Sequence, residues 1–207
     1  MLVSIEGNIG SGKSTVIEYL KTLNDSRFVF VDEPVKEWLE IKDKNGMNAL
    51  DCFYSDQKRN SFCFQILAYI TRLKKLMDVI KNNKDKIIIT ERSIDTDRNV
   101  FAKMLYEDDY LNSIEWVTYN YWFDTFKDVS KVDKIIYISA TPEKCLERIN
   151  KRNRVEEEGI KLNYLTKCHN YHNDWLDGVS DKITIDGHNS VNNIRNQVID
   201  IINNLNK

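Results

Sequence analysis

Gly7, Gly12, Lys13 and Ser14 stand at the spacing G-x-x-x-x-G-K-S directly after the apolar run Leu2–Glu6. A glycine-rich turn at this place curls the backbone so that successive N–H groups face phosphate oxygens. The turn comprises Gly7, Asn8, Ile9, Gly10, Ser11, Gly12, Lys13 and Ser14, and it runs through Thr15 into a helical stretch whose positive N-terminus adds to the attraction. Lys13 is placed to reach the β- and γ-phosphates, and the Ser14 hydroxyl to hold Mg²⁺. The expected ligand is a nucleoside triphosphate such as ATP.

Further reactive residues follow other apolar runs. Asp32-Glu33-Pro34-Val35 comes straight after Phe28–Val31, with Trp38 one turn on. A carboxylate there can act as general base on an attacking hydroxyl, can hold magnesium, or can cap the next helix. Glu91-Arg92-Ser93 and Asp97-Arg98 follow the run 86–90. Glu91 is placed to support the phosphate-loop magnesium and Arg92 to stabilise charge on a moving phosphoryl group, in preference to a surface salt-bridge cluster. Arg148, Arg152 and Arg154 lie in one basic stretch ahead of Glu156, Glu157, Glu158 and Gly159. Arg148 and Arg152 share a helix face. Converging guanidiniums repel unless a polyphosphate fills the gap, so residues 148–159 are expected to form an arginine-rich lid.

These groups need strands that end where the chemistry begins. Short, nearly continuous apolar runs at 2–6, 28–31, 86–90, 134–139 and 182–186 fit strands covered on both faces of a parallel sheet. Helical spacing recurs over 15–23, 61–80, the aromatic-rich 112–126, 142–149 with Thr141 as N-cap, 162–175 and 191–205. The alternation predicts an α/β fold: a five-stranded parallel sheet flanked by helices, with ligands bound at the strand C-termini.

Composition narrows the function further. The 207 residues include two prolines, seven glycines and no linker of biased composition, which fits one domain over 1–207. Thirty basic and 32 acidic residues give a net charge of −2, with no footprint for nucleic acid and no polybasic patch for a membrane, so small acceptors are expected. Cys52, Cys63, Cys145 and Cys168 lack zinc-site spacing and are expected as reduced, buried thiols. No apolar run approaches the roughly 20 residues that span a bilayer. The first strand begins at residue 2, leaving no room for a targeting peptide in this chain, so a reducing, cytoplasmic location is expected.

Taken in order, these strings resemble the deoxynucleoside kinase family, above all its deoxycytidine and deoxyguanosine kinase branch, with the phosphate-loop kinase fold shared by thymidine kinase 2. The likeness covers roughly residues 1–178 and rests on Ser4 to Ile9, Glu33-Pro34-Val35, Glu91-Arg92-Ser93, Asp97-Arg98, Tyr137 to Ile149 and Glu156 to Ile160. The resemblance implies ATP-dependent, Mg²⁺-assisted phosphorylation of the 5′-hydroxyl of a purine 2′-deoxynucleoside or deoxycytidine, in nucleotide salvage, by a homodimer. It gives Glu33 the role of base and Arg92 that of its partner at the transferring phosphate. Tyr54 and Glu157 match the positions that hold the sugar 3′-hydroxyl. Phe64 and Phe101 match the aromatic pair around the base, Gln65 its reader and Trp38 an apolar wall. Arg72 and Asp97 match a pair beside the base edge where Ala68 leaves room. Arg148, Arg152 and Arg154 fall on the lid.

Spacing alone supports part of this. Phe64, Ala68 and Arg72 are four apart, so on a helix they would line one groove. A buried Arg72–Asp97 pair is costly unless every donor and acceptor is met, which a base could do. The stretch between Leu50 and Ser61 offers few residues for an outer wall. The rival is a nucleoside monophosphate kinase resembling thymidylate kinase, whose family places an arginine before the Glu-Pro. Asp32 stands there instead and would repel a monophosphate.

Overall fold

The computed structural model describes residues 1–154, 157 and 159–205. Five strands, β1 (Leu2–Glu6), β2 (Phe28–Val31), β3 (Ile87–Glu91), β4 (Lys134–Ser139) and β5 (Lys182–Asp186), form one parallel sheet in the order β2-β3-β1-β4-β5. The chain leaves β1, fills positions on one side, then crosses to the other for β4 and β5. That reversal opens a crevice at the strand C-termini, where β1, β2 and β3 hand over to loops.

Every residue of β1 and β3 is buried, which is why both read as nearly continuous apolar runs. One face of the sheet packs Val3, Ile5, Ile89, Ile136 and Ile138 against Val16, Ile17 and Leu20 of α1 (Lys13–Thr22) and against Ile194, Val198 and Ile202 near the C-terminus. On the other face Leu2, Val31 and Ile88 meet Leu76. The register pairs Ile5 with Glu91, so β3 ends one residue later than expected and carries Glu91 to the level of the glycine turn.

Between β2 and β3 lie α2 (Val35–Glu40), α3 (Ala49–Ser55) and the long α4 (Gln57–Asn82). After β3 come α5 (Ile94–Thr96), a π-helical stretch Asp97–Ala102, α6 (Lys103–Glu107) and α7 (Ser113–Phe126). The sheet is completed by α8 (Pro142–Arg152) before α9 (Leu162–Asp177), and by α10 (Val191–Asn204). Thr141 caps α8 through a bond to the Lys144 N–H, as its sequence position predicts.

One expectation fails in part here. Cys145 and Cys168 are buried free thiols, but Cys52 is half-buried and Cys63 is exposed on the outer side of α4. The expected lid, 148–159, is described only in part, because Val155, Glu156 and Glu158 lie outside the described residues. No helix among the described residues is long and apolar enough to cross a membrane.

Candidate active site

The glycine turn is held tightly from behind. Gly7 sits at φ 147°, where an added Cβ would come within 2.6 Å of the Ile138 carbonyl oxygen; at Gly10 (φ 81°) it would come within 2.5 Å of the Cys145 carbonyl oxygen. Side chains there would push the turn off β4 and α8. Asn8 donates to the Leu165 carbonyl at 2.8 Å and so ties the turn to α9. Lys13 Nζ donates to the carbonyls of Gly7 and Asn8 at 2.9 and 2.8 Å. Burial, reinforced by the nearby Arg92 charge, lowers Lys13 from its usual 10.5 to about 8. Ser14 Oγ donates to Glu91 Oε1 at 2.9 Å, which joins the first turn of α1 to the end of β3.

Opposite the turn stands a chain of paired charges. Arg92 adopts φ 62°, a left-handed conformation that costs a non-glycine residue about 1–3 kcal/mol and recurs where function fixes the backbone. The twist brings its Nη1 to 2.8 and 2.9 Å from the two Glu33 carboxylate oxygens, with the guanidinium 5.2 Å from the Phe101 ring centre. Arg72, only 2 % exposed, donates Nε to Asp97 at 2.8 Å, Nη1 to the Glu91 carbonyl at 2.7 Å and Nη2 to Glu33 at 2.9 Å. Burial opposes the charge on Glu33, but Arg92, Arg72 and Lys13 outweigh it and hold the carboxyl at about 2. Glu33 is therefore ionised across the physiological range.

An aromatic slot lies beside these charges. Phe64 stacks on Phe53 with ring centres 4.7 Å apart and meets the edge of Trp38 at 5.3 Å. Trp38 is fixed by a 2.9 Å bond from its indole N–H to Thr71. Gln65, Ala68, Asp97 and Phe101 line the same cleft, and so do Ile9, Gly10, Gly12, Lys13, Ser14, Thr15, Glu33, Glu91 and Arg92. Tyr54, Arg152, Arg154 and Glu157 line its mouth.

The cleft thus gathers most of the residues named from sequence, and five it does not. Gly7, Asn8 and Ser11 belong to the turn but do not line the cleft, and neither does Arg72, which donates to Asp97, Glu91 and Glu33. The expectation that a base would satisfy Arg72 is corrected: the Glu91 carbonyl and Glu33 do so. Arg148 donates to the backbone carbonyls of Ser11 at 2.9 Å and Gly187 at 2.7 Å, and Arg152 pairs with Glu157. Arg152 and Arg154 thus share the cleft, while Arg148 is engaged by backbone carbonyls beside the turn. Asp32 points away from the cleft to Lys21 at 2.8 Å, so it is no barrier to a monophosphate.

Sequence reading passed over Phe53 and Tyr164, which both line the cleft. Leu50, Phe53 and Tyr54 stand at i, i+3 and i+4, a one-face helical pattern that α3 realises. The outer wall is therefore built from α3, despite the short stretch available. Tyr164 sits seven residues beyond Glu157, in the first turn of α9, with no motif around it.

A family model for deoxynucleoside kinases matches residues 3–207. The chain belongs to the deoxynucleoside kinase family. It is 40% identical over 194 residues to deoxycytidine kinase of Mus musculus, covering 84% of this chain and 74% of that protein. It is 37% identical over 192 residues to the mitochondrial deoxyguanosine kinase of Xenopus laevis, covering 84% and 72%. As a deoxynucleoside kinase it is an enzyme that uses a nucleoside triphosphate as phosphoryl donor, and the monophosphate-kinase rival is set aside.

Proposed function

We propose that the protein transfers the γ-phosphoryl group of ATP to the 5′-hydroxyl of a 2′-deoxynucleoside. The observation that carries this is Glu33, ionised between Arg92 and Arg72 in the cleft that Lys13 and an aromatic slot also line. A neutral sugar hydroxyl can approach that carboxylate, whereas a phosphate dianion would be repelled by it. Phosphoryl transfer asks mainly for alignment and charge stabilisation, so a weakly basic carboxylate suffices to accept the proton as the hydroxyl attacks. Arg92, released in part from Glu33 by that proton, faces the charge growing on the transferring group. The turn's N–H groups and Lys13 hold the donor phosphates.

The donor set also fits Mg²⁺. Ser14 Oγ and Glu91 Oε1, 2.9 Å apart at the edge of the turn, are the oxygen ligands such an ion takes, with phosphate oxygens to complete its shell. When bound it would neutralise charge on the β- and γ-phosphates.

The base edge is assigned to the Asp97 carboxylate, an acceptor, and to the Gln65 amide, which both donates and accepts. Both Asp97 oxygens accept from Arg72, and Asp97 and Gln65 both line the cleft. This favours bases that offer N–H donors there, cytosine or a purine, over thymine with its carbonyl. Tyr54 and Glu157 are suited to the sugar 3′-hydroxyl. A homodimer, implied by the resemblance, is supported by apolar side chains exposed on α7, and four free thiols suit a reducing compartment such as the cytoplasm.

Purified protein with ATP and Mg²⁺ and a panel of nucleosides and monophosphates tests the reading. Deoxycytidine and purine deoxynucleosides are expected to be phosphorylated, thymidine least, and monophosphates left unconsumed; consumption of monophosphates alone would overturn it. Glu33→Gln is expected to keep nucleoside binding while turnover drops about two to four powers of ten. Turnover near that of the parent would place the base elsewhere.

A further inference from the structure

Arg152 and Glu157 serve opposite substrates yet hold each other. Arg152 ends α8, and Asn153 then takes a left-handed conformation at φ 48° that turns the chain back. The Glu157 N–H donates to the Arg154 carbonyl at 3.1 Å. The carboxylate returns over the guanidinium: Nε donates to Oε2 at 2.6 Å and Nη2 to Oε1. The Glu157 side chain is 11 % exposed and that of Arg152 30 %. Both border the cleft that Lys13 and Ser14 line at the donor end and Tyr54 at the sugar end. In the free protein each group's charge is therefore taken up by the other.

We propose that this ion pair couples the two substrate subsites. A sugar hydroxyl that donates to Glu157 loosens its hold on Arg152 and frees the guanidinium for the donor's phosphates. A triphosphate that draws Arg152 away leaves Glu157 open to the sugar. Each ligand thereby lowers the cost of binding the other, and thermodynamic linkage makes the effect reciprocal. The inference rests on the nucleoside-kinase reading of the cleft and adds to it a reason for the two substrates to bind together.

Calorimetry on the full chain decides it, with a nonhydrolysable ATP analogue and Mg²⁺ titrated alone and with saturating deoxycytidine, or whichever deoxynucleoside of the panel is turned over fastest. In the parent protein the nucleoside is expected to tighten the analogue about fivefold or more, within the usual range of coupling between sites. Glu157→Gln is expected to bind the analogue alone about as tightly as the parent does with nucleoside, and to gain under about twofold when nucleoside is added. Arg152→Gln binds weakly in both conditions, and adding Glu157→Gln to it leaves the affinity for the analogue unchanged. Coupling that survives in both single variants overturns the proposal. Equal tightening by Glu157→Gln with and without Arg152 does so as well, because it assigns the effect to the carboxylate's field alone. A parent protein that binds both ligands with no coupling refutes only this inference, whereas one that binds the analogue and no deoxynucleoside refutes the functional reading beneath it.

Discussion

Lys13 carries a charge that the fold itself makes easy to lose. Its amine is held at about 8 by burial and by Arg92, so the free protein begins to deprotonate it within the working range of many buffers. A triphosphate supplies the missing counter-charge, so the bound state takes up a proton where the free state has lost one. Affinity for the ATP analogue is therefore expected to stay level from pH 6 to 7.5, then to fall by up to about tenfold per pH unit above pH 8. Titration calorimetry at several pH values measures this, and Lys13→Met should bind weakly without the slope; an unchanged slope in the variant would place the titrating group elsewhere. The sign for folding is the reverse. The unfolded chain holds more protons between about 8 and 10.5, so this residue's cost to stability is relieved as pH rises through that window. Glu33 behaves oppositely. Its carboxyl is depressed from 4.5 to about 2, so its contribution to stability is present above 4.5 and is lost as pH falls towards 2. Turnover is thus expected to show no acid limb from Glu33 between pH 5 and 8, which a pH–rate profile checks. Individual positions were legible from sequence where residue type and spacing dictate them, as for Lys13, Ser14 and Glu91, which share the cleft. Arg148 was not, because nothing in a run of arginines tells which guanidinium is spent on the Ser11 and Gly187 carbonyls.

Elements meet at Arg72, which projects from α4 to the end of β3, to Glu33 just past β2 and to Asp97 at the head of the π-helical stretch. Replacing it with methionine leaves the buried Asp97 carboxylate without its ion-pair partner and Glu33 with Arg92 alone. The expected loss is about 3–5 kcal/mol, the scale for breaking one partner of a buried ion pair, read as a shifted midpoint in urea unfolding. Arg72→Met with Asp97→Asn should recover part of that loss; no recovery would mean that packing of the long side chain dominates. The strands and long helices were legible as apolar runs and helical spacing because sheet burial and amphipathic packing leave strong periodic marks. α2 and α3 were not, being six and seven residues long and too short to establish a period. The π-helical stretch was missed for a different reason: its wider turn departs from the 3.6-residue template, while carrying both Asp97 and Phe101 to the cleft.

At the scale of the whole molecule, the side of α7 away from the core remains unexplained by the monomer. Its inner side is well used: Tyr119 packs edge-on to Tyr69 of α4 at 5.9 Å, and the Tyr69 hydroxyl donates to the Trp122 carbonyl at 3.2 Å. Outward, Ile114 and Tyr121 are 70% and 74% exposed, joined by Val117 and Trp122, with Ile70 and Met77 of α4 exposed as well. Isolated apolar side chains on a surface need no explanation, but a group on neighbouring helices marks a face that water should not cover. A second copy related by a two-fold axis would meet it with the same face, and the two α7 helices would bury each other's aromatic side chains. The expected outcome is a dimer by light scattering at micromolar concentration. Val117→Glu with Tyr121→Glu should give a monomer with an unchanged circular dichroism spectrum, since neither side chain supports the core. Because α7 contacts the π-helical stretch through Arg98, which bonds Asn120 at 3.0 Å, the monomer is also expected to bind deoxycytidine more weakly than the dimer while keeping the phosphate loop's affinity for the ATP analogue. Dimers that persist in the double variant would move the interface to another face.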